Sequence, residues 1–386
     1  MSATPPPVDL SPVATILVIG AVLALAPLAW VWWRTQDRTP LSLLRALTWT
    51  TLFLTFDLVL FGAFTRLTDS GLGCPDWPGC YGHTSPVGAA APIAAAERAV
   101  PTGAVTPAKA WIEMTHRYLA TGVGAMIVVL LLLSVTAARR GHGRRLAVAA
   151  GFTLLWVCAQ GAFGAWTVTM KLYPAIVTLH LLGGIGLVVL LALQTQAFEV
   201  RRLELPAVVR VLAWVVAALV ALQIALGAWV STNYAVLACS EFPTCQGQWW
   251  PPMDVGEGYA LLRPLGESAS GGYLPFPALT AIHMGHRLGA AAVLIGLVAL
   301  TAALRHRGPE ARRWALRLLA LAGWQVATGL SNVVLDWPLA AAVAHTGGAA
   351  ALAACIAVLL LRLRRRPRLG ASGHGFPAPV SADRAP

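Results

Sequence analysis

Charge is scarce in this chain of 386 residues. Only 11% of its residues are Asp, Glu, Lys or Arg, whereas a soluble domain has about 25%. Lysine occurs twice, as Lys109 and Lys171, and 57% of the chain is hydrophobic. This composition excludes a soluble globular protein. The net charge of +12 comes from arginines clustered between apolar runs, so it indicates membrane topology and not nucleic-acid binding.

Apolar runs long enough to span a bilayer occur nine times and predict an all-α integral membrane protein. The predicted spans are 12–33, 41–66, 111–137, 147–169, 175–198, 208–232, 278–304, 314–335 and 339–361. The arginine clusters occupy alternate loops, and such loops are cytoplasmic. We therefore expect a multi-pass protein of the bacterial inner membrane, with the N-terminus outside, the C-terminus in the cytoplasm, and the loops 68–110 and 233–277 outside. The first run lacks a preceding basic segment, so we expect a retained helix and not a cleaved signal peptide.

The chain contains an internal repeat with an offset of 165 residues. Seven residues of the first half recur at this offset: Gly62, Cys74, Pro78, Cys80, Gln160, Gly164 and His180 correspond to Gly227, Cys239, Pro243, Cys245, Gln325, Gly329 and His345. His116-Arg117 recurs as His286-Arg287, offset by 170. We predict an extra N-terminal helix (1–40), two four-helix bundles (41–200 and 201–366) and a disordered cytoplasmic tail (367–386). Because each bundle has an even number of spans, the bundles are parallel and related by a pseudo-twofold axis along the membrane normal.

Four histidines lie at similar depths within these apolar helices: His116, His180, His286 and His345. An ionisable residue inside a membrane helix is costly and indicates function. Two histidines per repeat match the axial ligands of a haem iron, so we predict that His116 pairs with His180 and His286 with His345, both near the external face. Arg117 and Arg287 directly follow ligands; they either bind haem propionates or extend to lipid headgroups.

The two halves differ at one informative position. Glu113 precedes His116 by three residues and so shares its helix face, whereas His283 stands at the equivalent place. A carboxylate beside only one iron predicts one reactive site and one electron-transfer site. Glu-x-x-His also occurs in di-iron bundles, but these need several glutamates. The other deep carboxylate is Asp57, which we expect to face the bundle interior.

The cysteines of the two outer loops form two pairs with six-residue spacing, Cys74 with Cys80 and Cys239 with Cys245. An exterior location favours disulfides. Zinc binding by the four thiolates is the alternative. If they are disulfides, they serve as structural links or as redox-active bonds.

The segment GAFTRLTDSGLGCPDWPGC (62–80), with EMTHR (113–117) and the two later histidine helices, closely resembles the haem A synthase family. The resemblance spans about residues 45–362. It implies oxidation of a ring methyl of haem O to the formyl group of haem A, for the terminal oxidase. It further implies that Glu113, His116 and His180 form the substrate site, that His286 and His345 hold a resident haem b, and that the first cysteine pair assists turnover. The extra first helix departs from the family's eight-helix pattern.

The resemblance also implies partners. These are a haem O synthase, the assembling terminal oxidase, and an electron donor that the sequence does not identify. A rival interpretation is a di-haem cytochrome b that carries electrons between quinol and an external acceptor; it predicts equivalent halves. A transporter is disfavoured, because neither half has a helix pair broken by Pro or Gly with midplane charge.

Overall fold

A computed structural model of the chain describes residues 11–199, 202–269 and 271–363. Within these residues the fold is all-α, which confirms the predicted class. The helices are α1 (Ser11–Arg34), α2 (Pro40–Leu67), α3 (Ala90–Ala99), α4 (Pro107–Ala137), α5 (Arg144–Thr169), α6 (Pro174–Thr195), α7 (Ala207–Thr232), α8 (Val255–Gly258), α9 (Phe276–Leu304), α10 (Pro309–Val334) and α11 (Leu339–Arg362). The tail predicted at 367–386 lies outside the described residues.

Local sequence explains where the long helices begin. α2, α4, α6, α9 and α10 have proline in the first turn, where its missing N–H costs no helical hydrogen bond. Threonine caps two of them: Oγ1 of Thr39 accepts from the Ser42 N–H (3.2 Å) and Oγ1 of Thr106 from the Lys109 N–H (3.3 Å). These caps satisfy backbone donors that a helix start otherwise leaves unpaired.

Eight helices of the described chain are long and apolar enough to cross a membrane: α1, α2, α4, α5, α6, α7, α9 and α11. The protein is thus a multi-pass membrane protein. The remaining predicted span corresponds to α10, which has 26 residues. Arg312, Arg313 and Arg317 in its first turns lower its hydropathy, so a ninth span stays a prediction.

Each half forms a ring of four helices. In the first half α2 and α5 both pack against α4 and α6, and in the second half α7 and α10 both pack against α9 and α11. The histidine-bearing helices, α4 with α6 and α9 with α11, therefore face each other across their rings. The rings meet where α2 and α6 contact α7 and α11. Side chains on facing helices of a four-helix bundle commonly build cofactor sites.

The backbone repeats along with the sequence. Residues with left-handed backbone angles recur at matched positions: Asp69, Tyr81, Gly82, Lys171 and Leu172 in the first half, and Tyr234, Gln246, Gly247, Asp336 and Trp337 in the second. Each pair is 165 residues apart. The loops after α2 and α5 in the first half thus turn as the loops after α7 and α10 do, which supports the predicted repeat; its division into domains stays a prediction.

Equivalent residues of the two halves touch each other. Nη2 of Arg66 donates to the carbonyl oxygen of Ser231 (2.6 Å), and the hydroxyl of Tyr234 donates to Oδ1 of Asp69 (2.6 Å); both pairs are separated by 165 positions. A residue contacts its own equivalent only where a twofold axis passes between them. At the opposite end of the bundle Arg362 donates to Oε1 of Gln196 (2.7 Å), the neighbour of its own equivalent, Ala197. These contacts at both ends support an axis along the bundle.

The extra helix α1 packs against α4 and, less extensively, α2. A small residue allows the close approach: a Cβ atom added to Gly20 would lie 2.6 Å from Cβ of Thr121. Ala24 and Val31 of α1 are buried in the same interface. α1 thereby supports the helix that bears His116.

Candidate functional site

Each of the four histidines lies against a glycine of a neighbouring helix. A Cβ atom added to Gly62 on α2 would lie 2.9 Å from Nε2 of His116, and one added to Gly227 on α7 would lie 2.9 Å from Cε1 of His286. The corresponding distance to Cε1 is 3.4 Å between Gly164 and His180 and 3.2 Å between Gly329 and His345. These glycines belong to the sequence repeat, and the structure gives them a purpose: they leave room for the imidazole rings.

The second histidine pair has the separation that one iron requires. The ring centres of His286 and His345 are 6.4 Å apart, with the ring planes at 81°. Imidazole nitrogens bind transition metals at about 2 Å, and each nitrogen lies about 1 Å from its ring centre. Two histidines on opposite sides of one metal ion therefore have ring centres roughly 6 Å apart. The geometry fits a bis-histidine haem.

Both histidine pairs line one large cavity. Its volume is about 1170 Å³, and it is walled mainly by apolar side chains of both rings. A pocket for a single drug-sized ligand has roughly 300–1000 Å³. The cavity walls include the polar side chains Glu113, Arg117, Gln160, Gln223, His283, Arg287 and Gln325. An apolar space of this size with histidines at two places suits two flat, largely hydrophobic ligands.

Protein side chains alone do not make a metal site here. Within the described ranges, no three His, Cys, Asp or Glu side chains are grouped to hold a metal ion. A four-thiolate zinc site or a di-iron carboxylate site needs such a group. A haem needs only two axial ligands from the protein, because its macrocycle supplies the others.

Glu113 is fixed between its own helix and the first cysteine loop. Its side chain is buried. Oε2 accepts from the backbone N–H of Cys74 (2.7 Å), and Oε1 accepts from Nη2 of Arg117 one turn away (2.5 Å). A carboxylate held at both oxygens keeps one orientation at the cavity wall. The link to Cys74 joins this group to the disulfide loop, which the sequence did not indicate.

Both arginines hold the cysteine loops. Nη1 of Arg117 donates to the carbonyl oxygens of Pro78 (3.1 Å) and Gly79 (2.6 Å). Arg117 also donates to the carbonyl oxygen of Asp76 (3.0 Å). Arg287 contacts the equivalents of Gly79 and Asp76, with Nη1 donating to the carbonyl oxygen of Thr244 (3.0 Å) and Nη2 to that of Glu241 (2.7 Å). The arginines lie in the cavity wall, so propionate binding stays a prediction, and loop support is an additional role that the sequence analysis missed.

The outer cysteines form two disulfides, Cys74–Cys80 and Cys239–Cys245. All four sulfurs are buried. The structure therefore favours the disulfide alternative over zinc. In each loop an antiparallel bridge joins the second cysteine to the residue three positions on, His83 or Gln248, so both loops have the same compact form.

His283 and Asp57, which the sequence also singles out, lie in surroundings that differ from those of Glu113. His283 occupies the equivalent place in the second half, is buried, and its Nδ1 contacts the carbonyl oxygen of Ala235 (3.0 Å). Asp57 was expected to face the bundle interior, and this expectation was wrong: its side chain is exposed and does not line the cavity. Thr55 and Val59 line the cavity, and a residue two positions away points to the opposite side of a helix.

The second-half histidines have polar neighbours at Nδ1. The hydroxyl of Thr328 lies 2.9 Å from Nδ1 of His345, and Nε2 of Gln223 lies 2.9 Å from Nδ1 of His286. In the first half, Nδ1 of His180 is buried and lacks a hydrogen-bond partner among the described residues. Sequence analysis missed Gln223 and Thr328, because neither recurs in the first half.

Several known proteins are similar in sequence to this chain. The profile of the family described as cytochrome oxidase assembly protein matches residues 45–357. A protein of Shewanella oneidensis named heme A synthase is 39% identical over 79% of this chain and 93% of its own length. Proteins of the same name from Halalkalibacterium halodurans (32% identity; 50% of this chain, 61% of theirs) and Rhizorhabdus wittichii (28%; 84% and 92%) are also similar. The match extends over both helix rings and all four histidines, and the chain belongs to the cytochrome oxidase assembly protein family.

Proposed function

We propose that this protein is a haem A synthase, an oxidoreductase that converts haem O to haem A for terminal oxidase assembly. The observation that carries the proposal is the cavity lined by two histidine pairs, of which only one has a carboxylate beside it. Relatives named heme A synthase, similar over most of the chain, support the same activity. The conversion of a methyl to a formyl group removes four electrons by two hydroxylations and the loss of one water.

The first ring is the proposed substrate site. His116 and His180 are the residues that would hold haem O, since their helices face each other across the helix ring. Haem iron, when bound, supplies oxygen activation and electron transfer. The protein contributes the ligands, the apolar walls that exclude water, and the buried Glu113–Arg117 pair. Arg117 and the Cys74 N–H fix the orientation of Glu113. Its carboxylate accepts a proton or stabilises positive charge at the reacting edge of the substrate.

The second ring is the proposed site of a resident haem b. The imidazole centres of His286 and His345 have the separation that one iron requires. The position that Glu113 occupies in the first half is taken here by His283. A bis-histidine iron without a carboxylate at this position is suited to electron transfer. Both histidine pairs line the same cavity, which supports the proposal that this haem would lie next to the substrate haem. Electrons from an external donor would then pass through the second helix ring to the iron of the substrate haem.

The proposed location is the bacterial inner membrane, with both cysteine loops on the external side. Arginines cluster at the opposite ends of the helices, as the positive-inside rule requires. The proposed partners are a haem O synthase that supplies the substrate, the oxidase that receives the product, and an electron donor.

Haem analysis of point variants tests this proposal. His286→Ala and His345→Ala should lower bound haem B, because they remove a ligand of the resident haem. His116→Ala and His180→Ala should retain haem B and abolish haem A. Glu113→Gln keeps the size of the side chain without its charge, and it should bind haem but lose haem A. The readout is chromatography of extracted haems from cells supplied with haem O.

The halves provide their own control. Under the rival cytochrome b function, wild type yields no haem A and all four histidine variants lose haem B alike. Wild-type amounts of haem A from Glu113→Gln would show that Glu113 is structural and that the functional difference between the rings does not depend on it.

A further inference from the structure

The two helix rings differ in the side chains that surround their histidines. In the second ring, Thr328 and Gln223 contact Nδ1 of His345 and His286 (both 2.9 Å). In the first ring, Nδ1 of His180 is buried without a partner among the described residues. The ring of His116 stacks on Phe61, with ring centres 6.3 Å apart.

The repeat shows that this difference is a change at two positions. The residue equivalent to Thr328 is Phe163, and the residue equivalent to Gln223 is Leu58. Neither Phe nor Leu has a side-chain acceptor for an imidazole N–H. The glycines that face the histidines are the same in both rings. The second ring therefore has the same space for its histidines but additional polar contacts.

The contacts of Thr328 suit one tautomer of His345. A threonine hydroxyl has one proton to donate, and this one is directed to the carbonyl oxygen of Trp324 (2.7 Å). The hydroxyl oxygen is then an acceptor for His345, so the imidazole proton lies on Nδ1. Nε2 keeps its lone pair and is free to coordinate a metal.

Gln223 fixes the position of His286. Its Nε2 donates to the His286 carbonyl oxygen (3.0 Å), while its Oε1 is buried with no partner in the described chain. The same Nε2 lies 2.9 Å from Nδ1 of His286, so one amide group contacts both the backbone and the imidazole of this histidine. Gln223 packs closely on Gly289, where an added Cβ would lie 2.2 Å from Oε1. This packing keeps the amide beside the imidazole of His286.

We propose that Gln223 and Thr328 are positioning residues that retain haem in the second ring, and that Leu58 and Phe163 leave the first ring able to exchange it. This inference rests on the proposed function, in which one haem is resident and the other is substrate and product. Partners of the second nitrogen fix the orientation of a metal-binding histidine and raise its basicity; their loss typically weakens metal binding by about 10–100-fold. A substrate site needs the weaker hold, because each product must leave.

The test compares haem retention in purified full-length protein. Thr328→Val preserves shape without the hydroxyl, Gln223→Leu copies the first ring, and Thr328→Ser restores the hydroxyl. Haem B transfer to excess apomyoglobin is followed by absorbance. We expect Thr328→Val and Gln223→Leu to transfer haem about tenfold faster or more, and Thr328→Ser to match wild type. Reductive titration should show a higher midpoint potential in Thr328→Val, since His345 loses the acceptor for its Nδ1–H and a less basic imidazole stabilises ferric iron less.

Thr346→Val is the matched control. Thr346 adjoins His345, but its hydroxyl donates to the Ala342 carbonyl oxygen (3.4 Å), so we expect wild-type retention. Leu58→Gln tests the converse and should increase the haem O and haem A that co-purify. Unchanged transfer rates in Thr328→Val and Gln223→Leu, with an unchanged potential in Thr328→Val, would overturn the inference even if wild type makes haem A. A wild type that makes no haem A would instead reject the proposed function.

Discussion

Replacement of the histidine-facing glycines by alanine should give a graded loss of function that follows distance. In Gly62→Ala the new methyl would lie 2.9 Å from Nε2 of His116, compared with 3.4 Å from Cε1 of His180 in Gly164→Ala. The first distance is too short for carbon and nitrogen, so the His116 ring must move by about half an ångström. The second is an ordinary contact.

The effect should fall on the site and not on the fold. Alanine is more favourable than glycine inside a helix by about 1 kcal/mol, and overpacking costs about 1–3 kcal/mol, so the net change in unfolding free energy stays within about 2 kcal/mol. A misplacement of about 1 Å at a reacting centre costs up to ~100-fold in rate. We therefore expect Gly62→Ala to make haem A at least about tenfold more slowly, and Gly164→Ala to resemble wild type.

The assay is the rate of haem A formation, with bound haem B and thermal unfolding measured in parallel. Gly161→Ala is the control, because Gly161 also lines the cavity but has no atom within 4 Å of an added Cβ. Gly227→Ala should disturb His286 and lower bound haem B. The reasoning is refuted if Gly62→Ala retains the wild-type rate, or if Gly161→Ala loses as much activity as Gly62→Ala.

The outer loops and the topology give two further predictions. Unreduced protein should resist thiol alkylation at the loop cysteines. Cys74→Ser should reduce haem A formation more than Cys239→Ser, since loss of the first disulfide frees the loop whose Cys74 N–H fixes Glu113, whereas no carboxylate bonds to the Cys239 N–H in the described chain; equal losses would count against this. A reporter inserted near Ala95 should be external and one fused after Arg368 cytoplasmic; an external C-terminus would contradict the proposed orientation and the external location of the cysteine loops.

Much of the fold, and the four histidines of the cavity wall, could be predicted from the sequence because hydrophobic length and repetition are sequence properties. Eight predicted spans are apolar membrane-length helices, and the four histidines line a common cavity. The tenth helix shows where this reasoning weakens: three arginines near one end of a 26-residue helix reduce mean hydropathy without shortening the helix.

The remaining features depend on side-chain direction or on contacts between distant segments. Asp57 was misplaced because depth within a helix says nothing about which face a residue occupies. The loop contacts of Arg117 join residues about forty positions apart, and no periodicity marks them. Gln223 and Thr328 escaped notice because a search for recurring residues passes over the positions where the halves differ.

The contact between equivalent residues has a consequence for how the halves diverged. In a symmetric dimer of identical chains, Asp69 would face another Asp69 across the axis, and two adjacent carboxylates would repel each other. Here Arg66 meets the Ser231 carbonyl, and Asp69 meets the Tyr234 hydroxyl. Because one polypeptide contains both halves, a residue near the axis does not have to pair with a copy of itself. For the same reason, equivalent positions in the two halves can carry a carboxylate, Glu113, and an imidazole, His283, so that two sites of one architecture have different chemistry.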